Sequence, residues 1–230
     1  MMNRANQVTL AACLAAALLA GCDRASGAGD AAPAPPAAAA QQPAPESAPQ
    51  SQPSPGPQTR ANWEPIEREA MHQATQAQVD KGLRAQQDLG KSLMAALTTS
   101  VAADGFDESL PFCRGVAPDL ATKIGEKWGV KIGRTSHRLR NPENAAPRWA
   151  TPLVEARRAE QTFVLGPHGE LGILSPIPMA ELCTNCHGTK DALAAGVEAA
   201  VTKLYPKDEA TGFGADDLRG WFWVEVPPPS

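Results

Sequence analysis

The chain has 230 residues, a formal net charge of −4 at pH 7 and 43% hydrophobic side chains. This length allows one domain with a substantial core in addition to terminal segments. The mild negative charge argues against nucleic acid as a partner, because nucleic-acid-binding domains carry strongly basic patches.

The N-terminus has the pattern of a bacterial export signal. Residues 1–21 contain a short polar start and then an apolar run, Val8 to Ala20, that is shorter than the ~20 residues needed to span a bilayer. The run ends in Leu19-Ala20-Gly21-Cys22, which resembles a lipobox. We expect Cys22 to become the first mature residue and to carry a lipid that anchors the protein on the periplasmic side of a membrane. An ordinary secretory signal with a coincidental cysteine is the alternative.

Residues 22–60 are predicted to form a disordered tether. Nine prolines, and no Val, Ile, Leu, Phe or Trp, occur between Ala31 and Gln58. Such a segment buries too little apolar surface to offset the entropy of ordering it. The folded domain is therefore expected to comprise residues 61–230.

Helical patterns occupy the first half of this domain. Glu67 to Ala103 is predicted to form one long helix or two in succession, because its apolar residues lie on one helical stripe. The stripe consists of Val79, Leu83, Leu93, Met94, Leu97 and Val101. A short helix that starts near Pro118 and ends at Gly129 is predicted from the four-residue repeat of Leu120, Ile124 and Trp128.

The second half combines strands with one more helix. Strands are predicted at 129–135, at 161–165 and 171–175 around a hairpin turn, and at 221–226. An amphipathic helix is predicted between Leu193 and Leu204, before Pro206. This order of elements predicts an α+β fold. A four-helix bundle of the cytochrome c-prime type is the rival architecture, but the Gly- and Pro-rich middle fits it poorly.

The segment Cys183-Thr184-Asn185-Cys186-His187 has the CxxCH spacing of a covalently attached c-type haem. Thiols at this spacing reach the two vinyl groups of one porphyrin, and His187 is then held beneath the iron as its proximal ligand. A zinc site would need a second Cys or His pair, and a redox-active or structural disulfide would leave His187 and Gly188 without a role. The export signal supports haem attachment, since it leads to the compartment where such haem is attached.

Of the five cysteines, Cys13 is expected to leave with the signal peptide, and Cys113 remains unassigned once Cys22, Cys183 and Cys186 have their roles. It is a candidate for the second axial iron ligand, with a buried, inert thiol as the alternative. The neighbouring Arg114 is expected to offset thiolate charge, since a nearby cation lowers a thiol pKa.

Other side chains also carry a possible ligand atom. His137 and His168 are interpreted as loop or turn residues, and Met94 as a core residue of the long helix. The remaining candidates lie in the polar start of the first helix or too close to the haem motif: Met71, His72 and Met179.

A series of short motifs resembles the haem c domain family called Tll0287-like. The motifs lie in order between about Gln87 and Val226. They are Phe112-Cys113-Arg114, Ala117-Pro118, Gly133-Arg134-Thr135-Ser136, Arg140-Asn141-Pro142 with Asn144, Cys183 to Gly188, Leu204-Tyr205-Pro206, Ala210-Thr211-Gly212 and Asp217-Leu218-Arg219-Gly220.

The resemblance implies a PAS-like α+β domain with an antiparallel sheet, a long N-terminal helix and one covalent haem c. It also implies iron ligation by His187 on one side and by the thiolate of Cys113 on the other. Similar domains occur alone and as extracytoplasmic sensory modules of kinases and chemoreceptors. The sequence has no transmitter segment, so sensing here would require a separate protein partner.

Arginines and tryptophans complete the predicted site. Arg134, Arg138, Arg140 and Arg219 are candidates to bind haem propionates, with loop bracing as the alternative for each. The tryptophans expected to form core and haem-pocket wall are Trp128, Trp149, Trp221 and Trp223. No carboxylate pair or Ser-His-Asp set indicates hydrolase chemistry, and no catalytic residue is predicted.

The function predicted from these features is redox or diatomic-gas sensing by a membrane-anchored, periplasmic protein with one haem c. An anionic thiolate ligand stabilises ferric iron, which suits a switch that loses its ligand on reduction. An electron-transfer cytochrome is the alternative. A haem enzyme such as a peroxidase is less favoured, because it would need a distal acid or base.

Overall fold

The computed structural model describes residues 62–229. The predicted signal peptide, the lipidation site Cys22 and the tether 22–60 lie outside the described residues and stay predictions. Within residues 62–229, no helix is both long enough and apolar enough to cross a bilayer.

The helices of this part of the chain cluster around one long member. Helix α1 is Gln73–Glu108 and is followed at once by α2 (Leu110–Arg114) and α3 (Val116–Trp128). Shorter helices come later in the chain: α4 (Thr151–Glu155), α5 (Glu181–His187) and α6 (Val197–Leu204). Short 3₁₀ turns lie at 68–70, 142–144 and 190–192.

The strands form a five-stranded antiparallel sheet with the order β1-β3-β4-β5-β2. The strands are β1 (Glu64–Pro65), β2 (Lys131–Thr135), β3 (Thr162–Leu165), β4 (Leu171–Pro178) and β5 (Leu218–Val226). The predicted α+β class, with an antiparallel sheet and a long N-terminal helix, is confirmed.

Helix α1 differs from the prediction at both ends. It begins later, at Gln73, because Met71 is in extended backbone (φ −82°, ψ 134°) and its side chain is buried in the main core. It ends later, at Glu108, but Gly105 breaks the helical path with φ 86° and ψ 177°. Glycine adopts such a backbone without the steric cost of a Cβ. The break lets the chain turn into α2, which carries Cys113.

The two faces of the sheet are packed differently. Because side chains alternate along a strand, Ile173 and Val224 face α1 and α3, whereas Leu174 and Trp221 face α4. A third cluster joins α2 to α6 through Leu110, Val197 and Val201. This cluster also contacts Cys186, so the core packing brings the helix of Cys113 close to the CxxCH helix.

Candidate haem-binding site

A cavity with predominantly apolar walls lies on the α1 side of the sheet. Its walls come from the second half of α1, from α2, from α5 and from the adjoining ends of β4 and β5. Cys113, Cys183, Cys186 and His187 all line it. Apolar side chains supply much of the remaining wall, including Leu93, Leu97, Val101, Phe106, Phe112, Ile177 and Phe222. The fold therefore gathers the predicted haem-binding residues around one space.

Helix α5 is held at the cavity by the loop that follows α6. Gly212 donates its backbone N–H to the carbonyl of Gly188 (2.6 Å), and Phe213 donates to the carbonyl of His187 (3.0 Å). Gly188 itself must be small, since a Cβ there would lie 2.5 Å from the carbonyl oxygen of Thr184. The glycine after the CxxCH motif thus allows the helix end to close tightly.

The imidazole of His187 is oriented by a hydrogen bond. Its Nδ1 lies 2.7 Å from the carbonyl oxygen of Ala210. A carbonyl only accepts, so Nδ1 carries the proton and Nε2 keeps its lone pair. Burial, with help from Arg219 and Arg140, lowers the pKa of His187 well below its usual value, against the opposing effect of the Ala210 bond. A neutral imidazole with a free Nε2 is the form that binds metals.

The three cysteines that line the cavity, Cys113, Cys183 and Cys186, are partly buried. Burial raises the pKa of Cys113, whereas the cations Arg134, Arg140 and Arg219 act in the opposite direction. Burial also raises the pKa of Cys186, to about 11. The expectation for Arg114 is wrong: that side chain is exposed, and the cations that act on Cys113 are distant in sequence. They come from strands and loops that the fold brings to α2.

The candidates for a second iron ligand divide into two groups. Cys113 and Met94 line the cavity together with His187. The core interpretation of Met94 is wrong, because that side chain lines the cavity and is 45% exposed. The residues that do not line the cavity are Met71, His72, His137, His168 and Met179. Met179 is instead fully buried against Ala210 and Phe213.

His137 lies in the loop after β2, as predicted, but its ring is not simply solvated. The ring packs edge-on against Phe213 (5.9 Å) and Trp221 (5.8 Å), and its Nδ1 is buried without a hydrogen-bond partner. Burial, assisted by Arg157 and Arg138, lowers the pKa of His137.

Three arginines line the cavity in different ways. Arg140 binds protein acceptors through its Nε and Nη2 atoms, chiefly Asp208 and the carbonyl of Cys186. Arg219 donates Nη1 to Ser136 (2.9 Å), but its Nε is buried without a partner, and burial lowers its pKa to about 10. Arg134 faces the cavity beside Cys113, and burial lowers its pKa too.

Arg138, the remaining candidate, lies outside this cavity wall. It donates Nε to the carbonyl of Glu209 (2.8 Å) and Nη2 to the carbonyl of Thr211, and its guanidinium stacks 4.4 Å above the ring of Phe213. Loop bracing, the alternative stated for these arginines, describes Arg138 best.

Sequence reasoning missed several residues of the site. Tyr205, the single tyrosine of the chain, lines the cavity near Cys113, and burial raises its pKa. Thr135 also lines the cavity, with a buried Oγ1 that has no partner. The sequence feature that could have identified Thr135 is its position in Gly133-Arg134-Thr135-Ser136, one of the motifs that resemble the family. The tryptophans belong to the core as predicted: Trp149 and Trp221 are buried there, and Trp128 and Trp223 pack against core clusters. The prediction that they form cavity wall is wrong, since the aromatic wall consists of Phe106, Phe112, Tyr205 and Phe222.

These observations fit a haem c. The chemistry of the donor set matches, because two thiols and a correctly protonated imidazole share one wall of an apolar cavity. Unpartnered polar atoms of Thr135 and Arg219, and the cation of Arg134, could meet the carboxylates that such a group carries. The residues that line the cavity are therefore compatible with the predicted haem c.

Comparison with known proteins gives one family and one solved structure. The model of the Tll0287-like family matches residues 58–227. The crystal structure of the cyanobacterial heme-protein Tll0287 superposes with a TM-score of 0.52 at 19% sequence identity, covering 67% of this chain and 97% of that one. At this identity the likeness supports the fold alone. None of the curated proteins matches the chain.

Proposed function

Given that the chain belongs to the Tll0287-like family, we propose that it is a haem-binding protein. More specifically, we propose one covalently attached haem c in a periplasmic protein that a lipid on Cys22 anchors to a membrane. The observation that supports haem binding most directly is that Cys183, Cys186, His187 and Cys113 line one cavity.

Each of these residues has a distinct role in the proposal. Cys183 and Cys186 would hold the group through thioethers to its two vinyl groups, and Nε2 of His187 would bind its iron. Cys113 would supply a second iron ligand as a thiolate, whose charge Arg134, Arg140 and Arg219 would offset. The bound group supplies an iron that changes between ferric and ferrous states and accepts diatomic gases.

Redox or gas sensing is the role that this ligand set favours. Cys113 lies on a five-residue helix between the break at Gly105 and the exposed Gly115. An anionic thiolate stabilises ferric iron, so Cys113 would be held more weakly, and could depart, once an external one-electron donor had reduced the group. A ligand changes a protein's state only if it contacts the two states differently, and departure of Cys113 provides such a difference. The signal would pass to a separate protein partner.

An electron carrier is the second candidate, and Met94 favours it. The Met94 side chain lines the same cavity as His187. Ligation by His and Met raises the reduction potential and is typical of electron-transfer cytochromes c. The identity of the second ligand therefore separates the two roles.

Spectroscopy of the purified full-length protein tests the proposal. A His/thiolate pair predicts a low-spin ferric spectrum with a thiolate signature and a ferrous form that binds carbon monoxide. A His/Met pair that persists on reduction, with no carbon monoxide binding, would favour the carrier and contradict the sensor.

A further inference from the structure

The backbone of Ala210 is held at both its carbonyl and its N–H. Its carbonyl oxygen lies 2.7 Å from Nδ1 of His187 and 3.3 Å from Nη2 of Arg140. Its N–H donates to Oδ1 of Asp208 at 3.2 Å. The backbone of one residue, Ala210, therefore connects the predicted iron ligand to a charged pair.

The charged pair is buried and has further contacts. Nε of Arg140 donates to Oδ1 of Asp208 at 2.9 Å, and the two side chains are only 8% and 7% exposed. Nη2 of Arg140 also donates to the carbonyl of Cys186 at 2.7 Å. Since a buried charge cannot lose its partner without a large cost, Asp208 fixes Arg140 in this position. The guanidinium thus contacts the backbone of a predicted thioether residue and the carbonyl that orients His187.

From this geometry we propose that Arg140, fixed by Asp208, is a positioning residue that tunes His187. The inference rests on the proposed function, because it takes His187 as the iron ligand. A carbonyl that accepts from a ligating histidine orients the ring and raises its basicity. Arg140 donates to the same oxygen and competes for it, so the His187 bond is weaker than it would be alone. The ring of His187 therefore has less imidazolate character than it would have without Arg140. Iron bound to such a ring would be more stable in the ferrous state than it would be without Arg140.

Charge alone would also stabilise ferrous iron, so the test must separate charge from hydrogen bonding. The double variant Arg140→Met with Asp208→Asn removes one positive and one negative charge together. The amide that Asp208→Asn introduces needs no cation partner, and its oxygen can still accept from the N–H of Ala210. Replacing a buried ion pair by neutral groups is often tolerated.

Arg138→Gln provides a matched control. Arg138 braces the same loop through the carbonyls of Glu209 and Thr211, but it makes no hydrogen bond to Ala210 or Cys186. The control removes a cation and two loop contacts while it leaves the Ala210 carbonyl shared between His187 and Arg140.

Two properties are measured on each full-length holoprotein, after its mass confirms covalent haem. The first is the midpoint potential. The second is the iron–imidazole stretching frequency of the ferrous form in a Cys113→Ala background, which rises with the strength of the Nδ1–H bond. The double variant should have a more negative potential and a higher frequency than wild type, and Arg138→Gln should keep the wild-type frequency.

The outcomes distinguish this inference from the proposed function. Wild-type protein without covalent haem would contradict the proposed function itself. If the double variant carries haem but keeps the wild-type frequency, the tuning role of Arg140 is overturned and the proposed function is not. An Arg138→Gln variant that shifts the frequency as much as the double variant does would also overturn the tuning role. If the double variant fails to fold, Arg140→Lys keeps the charge beside Asp208 but loses the guanidinium fork. A higher frequency in Arg140→Lys supports the role, and an unchanged one overturns it.

Discussion

The Nδ1 atom of His187 and the carbonyl oxygen of Ala210 are 2.7 Å apart. This bond joins the end of α5 to the loop after α6, and two backbone bonds from Gly212 and Phe213 run beside it. The orientation of the imidazole therefore depends on how tightly the helix end and this loop close on each other.

Gly188→Ala should loosen this closure. The added Cβ would lie 2.5 Å from the carbonyl oxygen of Thr184 and 3.0 Å from the Cβ of Ala192. Because the first neighbour is backbone, relief requires a shift of α5, and we expect a loss of about 1–3 kcal/mol in the free energy of unfolding. Denaturant titration measures this loss.

Gly115→Ala is the matched control for that substitution. A Cβ at Gly115 would meet its nearest atom, the carbonyl oxygen of Pro111, at 3.8 Å, which is an ordinary contact. Equal destabilisation by the two alanines would contradict the close-approach role assigned to Gly188.

His137 should make stability fall as the pH is lowered. Burial lowers the pKa of the folded imidazole below 6.5, and Arg157, Arg138 and Arg219 act in the same direction. As the pH falls below the unfolded pKa of about 6.5, the unfolded chain binds more protons at His137 than the folded chain does. The free energy of unfolding therefore falls with pH until the folded pKa is reached, and the contribution is fully present only above the unfolded pKa.

Unfolding midpoints measured from about pH 8 to about pH 5 test this contribution. His137→Gln should flatten the pH dependence relative to wild type. His168→Gln, which removes an exposed imidazole from the turn between β3 and β4, controls for the loss of a histidine. A wild-type slope in the His137 variant would show that this ring is not the source.

Much of the fold was predictable because it depends on local patterns. The repeat of Leu120, Ile124 and Trp128, bounded by Gly129, marked α3 correctly, and strand periodicity located the β3–β4 hairpin. Met94 shows the limit of such patterns. It was assigned to the same helical stripe as Leu93, but Leu93 is buried in the main core, whereas Met94 is exposed on the cavity wall. A pattern of apolar residues does not distinguish a core from the wall of a cavity.

The site was predictable only where its chemistry is contiguous in sequence. CxxCH is such a motif, since its spacing alone places two thiols and an imidazole together. The cations beside Cys113 could not be found in this way: Arg134 and Arg219 come from two antiparallel strands, whereas the sequence neighbour Arg114 points to solvent. Likewise, the ion pair of Arg140 with Asp208 exists only because two distant loops meet.

Cys22→Ala should release the protein from membranes or block its processing. The prediction follows from the lipobox-like Leu19 to Cys22, which lies outside the described residues. Membrane fractionation and the mass of the mature N-terminus measure it. Wild-type protein found soluble in the periplasm, without lipid by mass, would rule out the anchor.

Cys113→Ala should change the ferric spectrum by removing the thiolate signature. The ferrous variant should also bind carbon monoxide or nitric oxide without a ligand-loss step. Met94→Leu, which alters the methionine that lines the same cavity, is the control and should retain the wild-type spectrum. If Met94→Leu changes the spectrum and Cys113→Ala does not, Met94 is the ligand and the electron carrier becomes the better description.

Covalent attachment through Cys183 and Cys186 is the central claim, and the mass of the acid-denatured mature chain tests it most directly. We predict that the denatured polypeptide retains the mass of one haem, and that replacing both cysteines by alanine removes it while His187 remains. Haem that extracts freely from the wild-type protein into acidified organic solvent, leaving a chain of unmodified mass, would contradict the account.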